Sequence, residues 1–180
     1  MVWVLFCAGS LVADDNYTQP GTGFVFPPKV AGFVRTHVTP YQPDYSDIEV
    51  DYDNSPYTVH LSVYVYPASA PLKLHYEGCK AGVLRIHPDA KLIEEKPMSV
   101  AKGGVTFNGY YALYSFRAKM IEAQETDLFS QLIVFRRDNN YVLFRISYLV
   151  SDRNHAERAI TDFIDQYQWP PGGKDASQTP

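Results

Sequence analysis

Residues 57 to 66 alternate between apolar and polar side chains, and the period of the pattern changes soon afterwards. One side of this segment carries Tyr57, Val59, Leu61, Val63 and Val65, and the other carries Thr58, His60, Ser62, Tyr64 and Tyr66. Further on, apolar residues recur at spacings of four and three, at Leu72, Tyr76, Cys79, Val83 and Ile86. Alternation is the period of a strand and the second spacing is that of a helix face, so the sequence predicts a strand followed by a helix.

Over the whole chain, these two periods predict strands and helices in the order β-β-β-α-β-β-β-β-α. Strands are predicted over 33–39, 47–52, 57–66, 91–101, 110–118, 131–137 and 141–150, and a second helix over 151–167. Turns are expected at Lys102-Gly103-Gly104, Asn108-Gly109 and Asn139-Asn140, and Pro97 places its strand at a sheet edge or bulge. Because tight turns join most strands, the sheet should be mainly antiparallel.

The last predicted hairpin is apolar on both sides. Ile133, Phe135, Phe144 and Ile146 share one side, and Leu132, Val134, Leu143 and Leu149 share the other. A sheet that is apolar on both sides needs cover on both. We therefore expect an α+β fold, with a mainly antiparallel sheet of about six or seven strands and one helix on each face.

The length of 180 residues predicts one domain, placed at 23–169. The apolar residues 2–13 are fewer than the roughly 20 that span a bilayer, and they fit the apolar region of a signal peptide within 1–13. The alternatives are a buried N-terminal strand or a lipoprotein anchor at Cys7. Residues 14–22 are predicted to be a linker and 170–180 a disordered tail, and the expected location is periplasmic or secreted.

The composition argues against a nucleic-acid-binding protein. The net charge is −4 and the chain contains no basic stripe, so phosphate neutralisation is not expected. Peripheral association with a membrane stays open, and the sequence does not predict an oligomeric state.

The sequence contains no recognisable catalytic or metal-binding motif, and no cofactor is predicted. Cys79 and His75 are four residues apart on the predicted helix, a spacing that suits a nucleophile pair or half a metal site. Cys79 also belongs to the apolar helix face, so the favoured interpretation is a buried core thiol. The other histidines do not have ligand spacing, although folding could bring His37 and His60 together with an acid.

Phe33 and Arg35 are two residues apart on a predicted strand, so they should share a face, with Val34, Thr36 and Val38 on the other. A buried arginine needs a carboxylate or carbonyl partner, and Asp47, Glu49 and Asp51 on the next strand are the nearest acids. Gly32 is expected to form a bulge or to allow close backbone approach. The structural alternative, an ion pair at the sheet margin, is favoured over a ligand-facing arginine.

The polar side of residues 58–66 is the most suggestive binding surface. Tyrosines combine rigid apolar area with a hydroxyl group, which suits recognition of peptides, sugars or proteins. Tyr110 and Tyr114 are predicted to extend this surface from another strand, and Arg136 and Arg145 to add charge at its rim. The candidate binding residues are Phe33, Arg35, His60, Tyr64, Tyr66, Tyr110 and Tyr114. The alternative is that a helix simply covers these tyrosines.

Pro28-x-x-x-Gly32-Phe33-x-Arg35 is followed by Asp47-Ile48-x-Val50-x-Tyr52, then by Thr58-Val59-x-Leu61-x-Val63-Tyr64-Val65-Tyr66-Pro67 and a predicted helix. In this pattern, residues 26 to about 90 resemble a group of uncharacterised, often exported bacterial proteins. In fold order alone the chain is similar to PsbP-like proteins, which include the DcrB and EagR families of envelope lipoproteins and secretion chaperones. That resemblance implies an αβα sandwich and no particular binding residue.

The expected function is therefore a non-catalytic exported binding or adaptor module for an envelope or secretion-system protein. The alternative is a small hydrolase whose histidine and carboxylates meet only in the fold. A structural envelope protein without a small ligand is a third hypothesis.

Overall fold

The computed structural model describes residues 15–119 and 125–170. The predicted signal segment 1–13 and residues 171–180 of the predicted tail lie outside the described residues. The described strands are β1 (Tyr17–Thr18), β2 (Val25–Phe26), β3 (Lys29–Val30), β4 (Phe33–Pro40), β5 (Ile48–Asn54), β6 (Val59–Pro67), β7 (Lys91–Lys102), β8 (Val105–Lys119), β9 (Glu125–Arg137) and β10 (Asn140–Leu149). The helices are α1 (Leu72–Ile86) and α2 (Arg153–Gln166).

Eight of these strands form one antiparallel sheet. Their spatial order is β3-β4-β5-β6-β10-β9-β8-β7, and β1 and β2 pair separately with each other. The α+β class and the antiparallel pairing are thus confirmed, but the expected six or seven strands are corrected to eight in the main sheet. The sequence pattern missed β3, which has only two residues and follows Pro27-Pro28.

The two helices contact different faces of the sheet. Alternate residues of β5, β6, β9 and β10, such as Tyr52, Leu61 and Phe144, belong to one core cluster together with Phe163 of α2. Their neighbours Leu143, Leu132 and Val134 belong to a second cluster together with Tyr76 of α1. We call these surfaces the α2 face and the α1 face. The sides predicted for the last hairpin match them, because the side chains alternate along each strand.

The predicted strand over 57–66 begins later than the alternation suggests. Ser55–Tyr57 form a short 3-10 turn, which ends at Thr58 with a positive φ of 47°. Tyr57 therefore stays 37% exposed and does not share the buried side of β6 as predicted. Val59, Leu61, Val63 and Val65 are all buried, as the pattern requires.

Two predicted turns differ from the structure. Gly109 falls inside the continuous strand β8, opposite Phe135, so the turn predicted at Asn108-Gly109 is absent. In the β9–β10 hairpin the positive φ, 50°, belongs to Asp138 rather than to the predicted Asn139-Asn140 pair. Pro97 does lie in an edge strand, β7, as expected, and that strand has an irregularity between Leu92 and Glu94.

Neither helix in residues 15–119 and 125–170 is both long enough and apolar enough to cross a membrane.

Candidate binding face

Phe33 and Arg35 lie on the α2 face, away from the predicted tyrosine surface. Phe33 is fully buried and makes an edge contact with Phe163, with ring centroids 5.1 Å apart. Arg35 is 5% exposed and donates to two backbone carbonyls, Phe26 O and, at 2.9 Å, Asp15 O. Carbonyl oxygens therefore accept hydrogen bonds from this buried guanidinium.

The turn and the bulge around Arg35 differ from the prediction. Ala31 and Gly32 both have positive φ, 48° and 84°, and form the tight connection between Val30 and Phe33. Gly32 thus serves a hairpin turn, and the register irregularity of β4 lies between Arg35 and His37. Because an extra residue reverses the alternation, Val38 packs against the α2-side cluster rather than sharing the outward side of Val34.

Tyr110 and Tyr114 share the α1 face with Tyr64 and Tyr66, but α1 lies over them. Tyr76 of α1 stacks on Tyr110 with centroids 4.9 Å apart, and Tyr114 is only 1% exposed. This part of the predicted surface is therefore core, which was the alternative that the sequence left open.

Tyr66 contacts the first turns of α1. Its hydroxyl lies 2.8 Å from His75 Nε2, and the imidazole stacks on Tyr141 with centroids 3.8 Å apart. Cys79 Sγ lies 3.4 Å from the same His75 nitrogen. Burial lowers the pKa of His75 and raises that of the Cys79 thiol, so a neutral imidazole beside a protonated thiol fits this site better than a reactive thiolate.

The rest of the α1 face is not under the helix. We call this region the open face and define it as Glu49, Asp51, Asp53, His60, Ser62, Tyr64, Arg145 and Ser147. Strand pairing aligns these residues in rows, with Asp53 beside His60 and His60 beside Ser147, and with Asp51 beside Ser62 and Ser62 beside Arg145. The sheet register thus places three carboxylates, an imidazole and a guanidinium on one surface.

His60 is the centre of the polar contacts on the open face. Its Nδ1 lies 2.8 Å from Asp53 Oδ1, and its Nε2 lies 3.4 Å from Ser62 Oγ and 3.7 Å from Asp51 Oδ1. Ser62 is 4% exposed, and its hydroxyl donates a hydrogen bond to Asp51 Oδ1 at 2.5 Å. A serine, a histidine and a carboxylate are therefore connected, but the serine hydroxyl points to a carboxylate and has little access to solvent.

Tyr64 and Tyr41 both donate to the carboxylate of Glu49. For Tyr41, the hydrogen bond to Glu49 is the main cause of a pKa raised to about 12. For Tyr64, burial comes first and the same carboxylate second, and its pKa is also raised. Both phenols stay protonated at neutral pH, so this end of the open face presents hydrogen-bonding groups without a phenolate charge.

Two cavities border the open face. One, of about 600 Å³, lies beyond the end of α1 and is lined by Asp53, Thr58, His60, His87, Phe116 and Ser147, among others. The other, of about 490 Å³, runs beside α1 and is lined by residues that include Leu74, Gly78, Gly82, Ile86, Leu143 and Arg145. Arg145 and Ser147 are two residues apart on β10 and so point to the same side. The cavities therefore adjoin along β10.

The roles of several groups on this face were not predicted from the sequence. Glu49 and Asp51 were considered only as partners for Arg35, whereas the structure pairs them with Tyr64 and Ser62 across β5 and β6. The alternation over 47–52 contained the signal, because residues on the outward side of one strand must meet those of its neighbour. Arg136, predicted at the rim, is exposed and donates to Asp138 O at 3.2 Å. In the described ranges no cluster of three or more His, Cys, Asp or Glu side chains is suited to a metal ion.

No protein-family model matches the chain, and no curated protein matches it. Among solved structures, it is similar to PA94 of Pseudomonas aeruginosa, a protein of unknown function described as a putative regulator. The TM-score is 0.50 at 13% sequence identity, and the match covers 88% of this chain and 98% of that one. At this identity the likeness shows the fold alone.

Two further structures resemble the chain less closely. The cyanobacterial PsbP of Synechocystis has a TM-score of 0.49 at 12% identity, covering 91% of this chain and 98% of its own. The Ran-binding protein Mog1p of Saccharomyces cerevisiae has a TM-score of 0.48 at 15% identity, covering 86% and 94%. At TM-scores below 0.5 these likenesses support no inference about this chain, and the PsbP-like assignment stays a prediction.

Proposed function

We propose that this protein is a non-catalytic binding module that holds a partner protein on its open face. The observation that supports this is the unequal cover of the two sides of the sheet. The α2 face is closed by aromatic packing, whereas the open face presents polar groups beside two adjoining cavities. Concave surfaces with a few convergent polar groups are typical of binding sites.

The proposed location is the periplasm or the cell exterior, and the proposed partner is an envelope or secretion-system protein. This part rests on the apolar run 2–13, which fits a signal peptide. The mechanism is recognition by shape, aromatic contact and hydrogen bonding, without bond-making.

A photocrosslinker placed on each side of the protein tests the proposal. Tyr64 on the open face is replaced by benzoylphenylalanine, and Arg158, which is exposed on α2, receives the same group as the matched control. After irradiation in intact cells, the Tyr64 variant should give one dominant adduct with an envelope protein and the Arg158 variant none. Equal labelling from both positions, or no adduct from Tyr64, would contradict the proposal.

A hydrolase is the second candidate, because the Ser62–His60–Asp53 contacts resemble a nucleophile, a base and an orienting acid. Two observations argue against it: Ser62 is buried, and its hydroxyl donates a hydrogen bond to Asp51 rather than to His60. Hydrolysis of p-nitrophenyl esters that disappears in both His60→Ala and Ser62→Ala would favour this function over the binding module.

A further inference from the structure

The cavity beside α1 contains a cation that has no counterion among the residues that the structure describes. Arg145 is half-buried, and its Nε atom is buried without a hydrogen-bond partner. Its strand neighbours are Ser62 on β6 and Leu132 on β9, and neither is acidic. Within the described ranges Arg145 has no ion pair or hydrogen bond, and the same holds for Arg85, which lines the same cavity.

Most other arginines of the described chain have partners. Arg153 Nε lies 2.9 Å from Glu157 Oε1, Arg117 Nε lies 3.4 Å from Asp127 Oδ1, and Arg35 donates to carbonyls. Arg cannot lose its proton, so a guanidinium that is partly withdrawn from water is unfavourable unless a hydrogen-bonding partner compensates it. Within the described chain, the buried Nε of Arg145 is therefore an unsatisfied donor, to which a bound ligand can supply an acceptor.

The helix wall of this cavity contains two glycines that the packing of the fold does not require. Gly78 and Gly82 lie inside α1, where each destabilises the helix by about 1 kcal/mol relative to alanine. A Cβ atom at either position would meet nothing within 4 Å. Their effect is to widen the cavity next to the unpaired arginine.

The rims of the cavity are apolar and open to solvent. Leu74 and Ile86, near the two ends of α1, are 64% and 60% exposed, and Leu143 and Leu132 form part of the floor. A site that is mainly apolar and carries positive charge at Arg145 and Arg85 is complementary to an apolar segment with a negative group.

We propose that this cavity, the Arg145 groove, binds an apolar peptide segment of the partner through one carboxylate, which pairs with the Arg145 guanidinium. The inference rests on the proposed function and names the chemistry of the partner. A peptide is favoured over a fatty acid because the groove is open along α1, whereas sites for small molecules bury most of the ligand surface. A carboxylate can accept two parallel hydrogen bonds from a guanidinium, which gives both affinity and register.

The test compares two labelled peptides, acetyl-Leu-Leu-Glu-Leu-Leu-amide and its glutamine counterpart. Fluorescence anisotropy with the full chain should show at least about tenfold tighter binding of the glutamate peptide, the effect expected of a hydrogen bond to a charged group. Arg145→Met should abolish this preference without lowering the thermal midpoint, because it removes an unpaired charge. Equal binding of the two peptides to the wild type, or a large fall in the midpoint with Arg145→Met, would overturn the inference.

A filled groove gives a second readout. Gly78→Leu places a side chain in the groove and improves the helix propensity, so peptide binding should be lost while stability is kept. Ala81→Leu, at an exposed position on the same helix that does not line the groove, is the matched control and should bind like the wild type. If dodecanoate binds and the glutamate peptide does not, the groove binds a lipid rather than a peptide, and the proposal is refuted. If neither ligand binds while the Tyr64 crosslink still forms, the groove inference fails and the binding module stands.

Discussion

Helices α1 and α2 have nearly the same length but cover the sheet very differently. The 14-residue α2 buries five side chains, namely Ala156, Ala159, Ile160, Phe163 and Ile164. The 15-residue α1 buries only Tyr76 and Val83. Since most helix stability in proteins comes from packing an apolar face, α2 is the better anchored of the two. The comparison shows that this fold completes its core on one side and leaves room on the other.

The aromatic contacts show the same difference. Phe163 makes edge contacts with Phe33 and Tyr52, both with centroids 5.1 Å apart, and it stacks on Tyr167. On the α1 side, polar groups join the aromatic contacts, as where His75 packs against both Tyr66 and Tyr141. One side of the sheet is thus a packed core, and the other is a core that grades into a polar surface.

The largest expected effect is on the α2 side. Phe163→Ala should lower the free energy of unfolding by about 3–5 kcal/mol, because it removes a fully buried ring and leaves a cavity. Urea denaturation followed by circular dichroism measures the loss. Leu74→Ala, at an exposed position on α1, is the control and should change stability by no more than about 0.5 kcal/mol. Similar losses in both variants would remove the distinction between the two sides.

Replacing a glycine by alanine should have opposite effects on stability on the two sides of the sheet. A Cβ at Gly109, on the α2 side, would lie 2.4 Å from Val134 O and 2.5 Å from Phe135 Cδ1, so Gly109→Ala should destabilise the protein by about 3 kcal/mol. The added Cβ atom in Gly78→Ala would have no neighbour within 4 Å, so this substitution should stabilise α1 by roughly 1 kcal/mol. The same denaturation assay measures both, and a stable Gly109→Ala variant would show that β8 and β9 are not packed as described.

A buried arginine and an exposed one sharpen the comparison further. Arg35→Met should lower stability by about 2 kcal/mol, because the carbonyls of Phe26 and Asp15 lose a charged donor. Arg136→Met, at an exposed position, is the matched control and should have little effect. If thermal midpoints show that Arg35→Met is folded and as stable as the wild type, the guanidinium is not structural. The alternative hypothesis, that Arg35 faces a ligand, would then be favoured.

The smallest effect concerns pH. Burial lowers the pKa of His75, and burial followed by the charge of Arg145 lowers that of His87. The unfolded chain therefore takes up protons more readily than the folded protein below about pH 6.5. These histidines contribute their full stability above that value, and the contribution is lost as the pH falls towards the folded-state pKa values.

His75→Gln cannot be protonated in this range and should reduce the loss of stability on acidification. Urea midpoints at about pH 7.5 and about pH 5, on either side of the ordinary histidine value, measure the change. An unchanged pH dependence in His75→Gln would mean that the imidazole is not held in the buried, neutral state that its contacts with Tyr66 and Tyr141 indicate.

Periodicity was sufficient to predict the class of the fold and both helices, because core-facing residues recur with the period of each element. It failed where a single residue shifts the backbone. The irregularity after Arg35 reverses the side taken by Val38, and the positive φ at Thr58 releases Tyr57 from the strand. Gly109 was expected in a turn, whereas close packing against Phe135 is what requires it.

The candidate site was only partly predictable for a related reason. Alternation places His60, Ser62 and Tyr64 on one side of a strand, but it does not say which of them a helix covers. Arg145 and Ser147 join them only through the pairing of β6 with β10, which are far apart in sequence. Tyr110 and Tyr114 satisfied the same pattern and lie under α1.

The central claim is that partners reach the sheet from the α1 side and not from the α2 side. Cysteines are introduced singly at Ser147 on the open face and at Thr161 on α2, in a chain with Cys7→Ser and Cys79→Ser. Their reaction with a maleimide is then followed with and without solubilised native envelope. We expect slower labelling at Ser147 and an unchanged rate at Thr161. Protection of Thr161 alone, or equal protection of both, would contradict it.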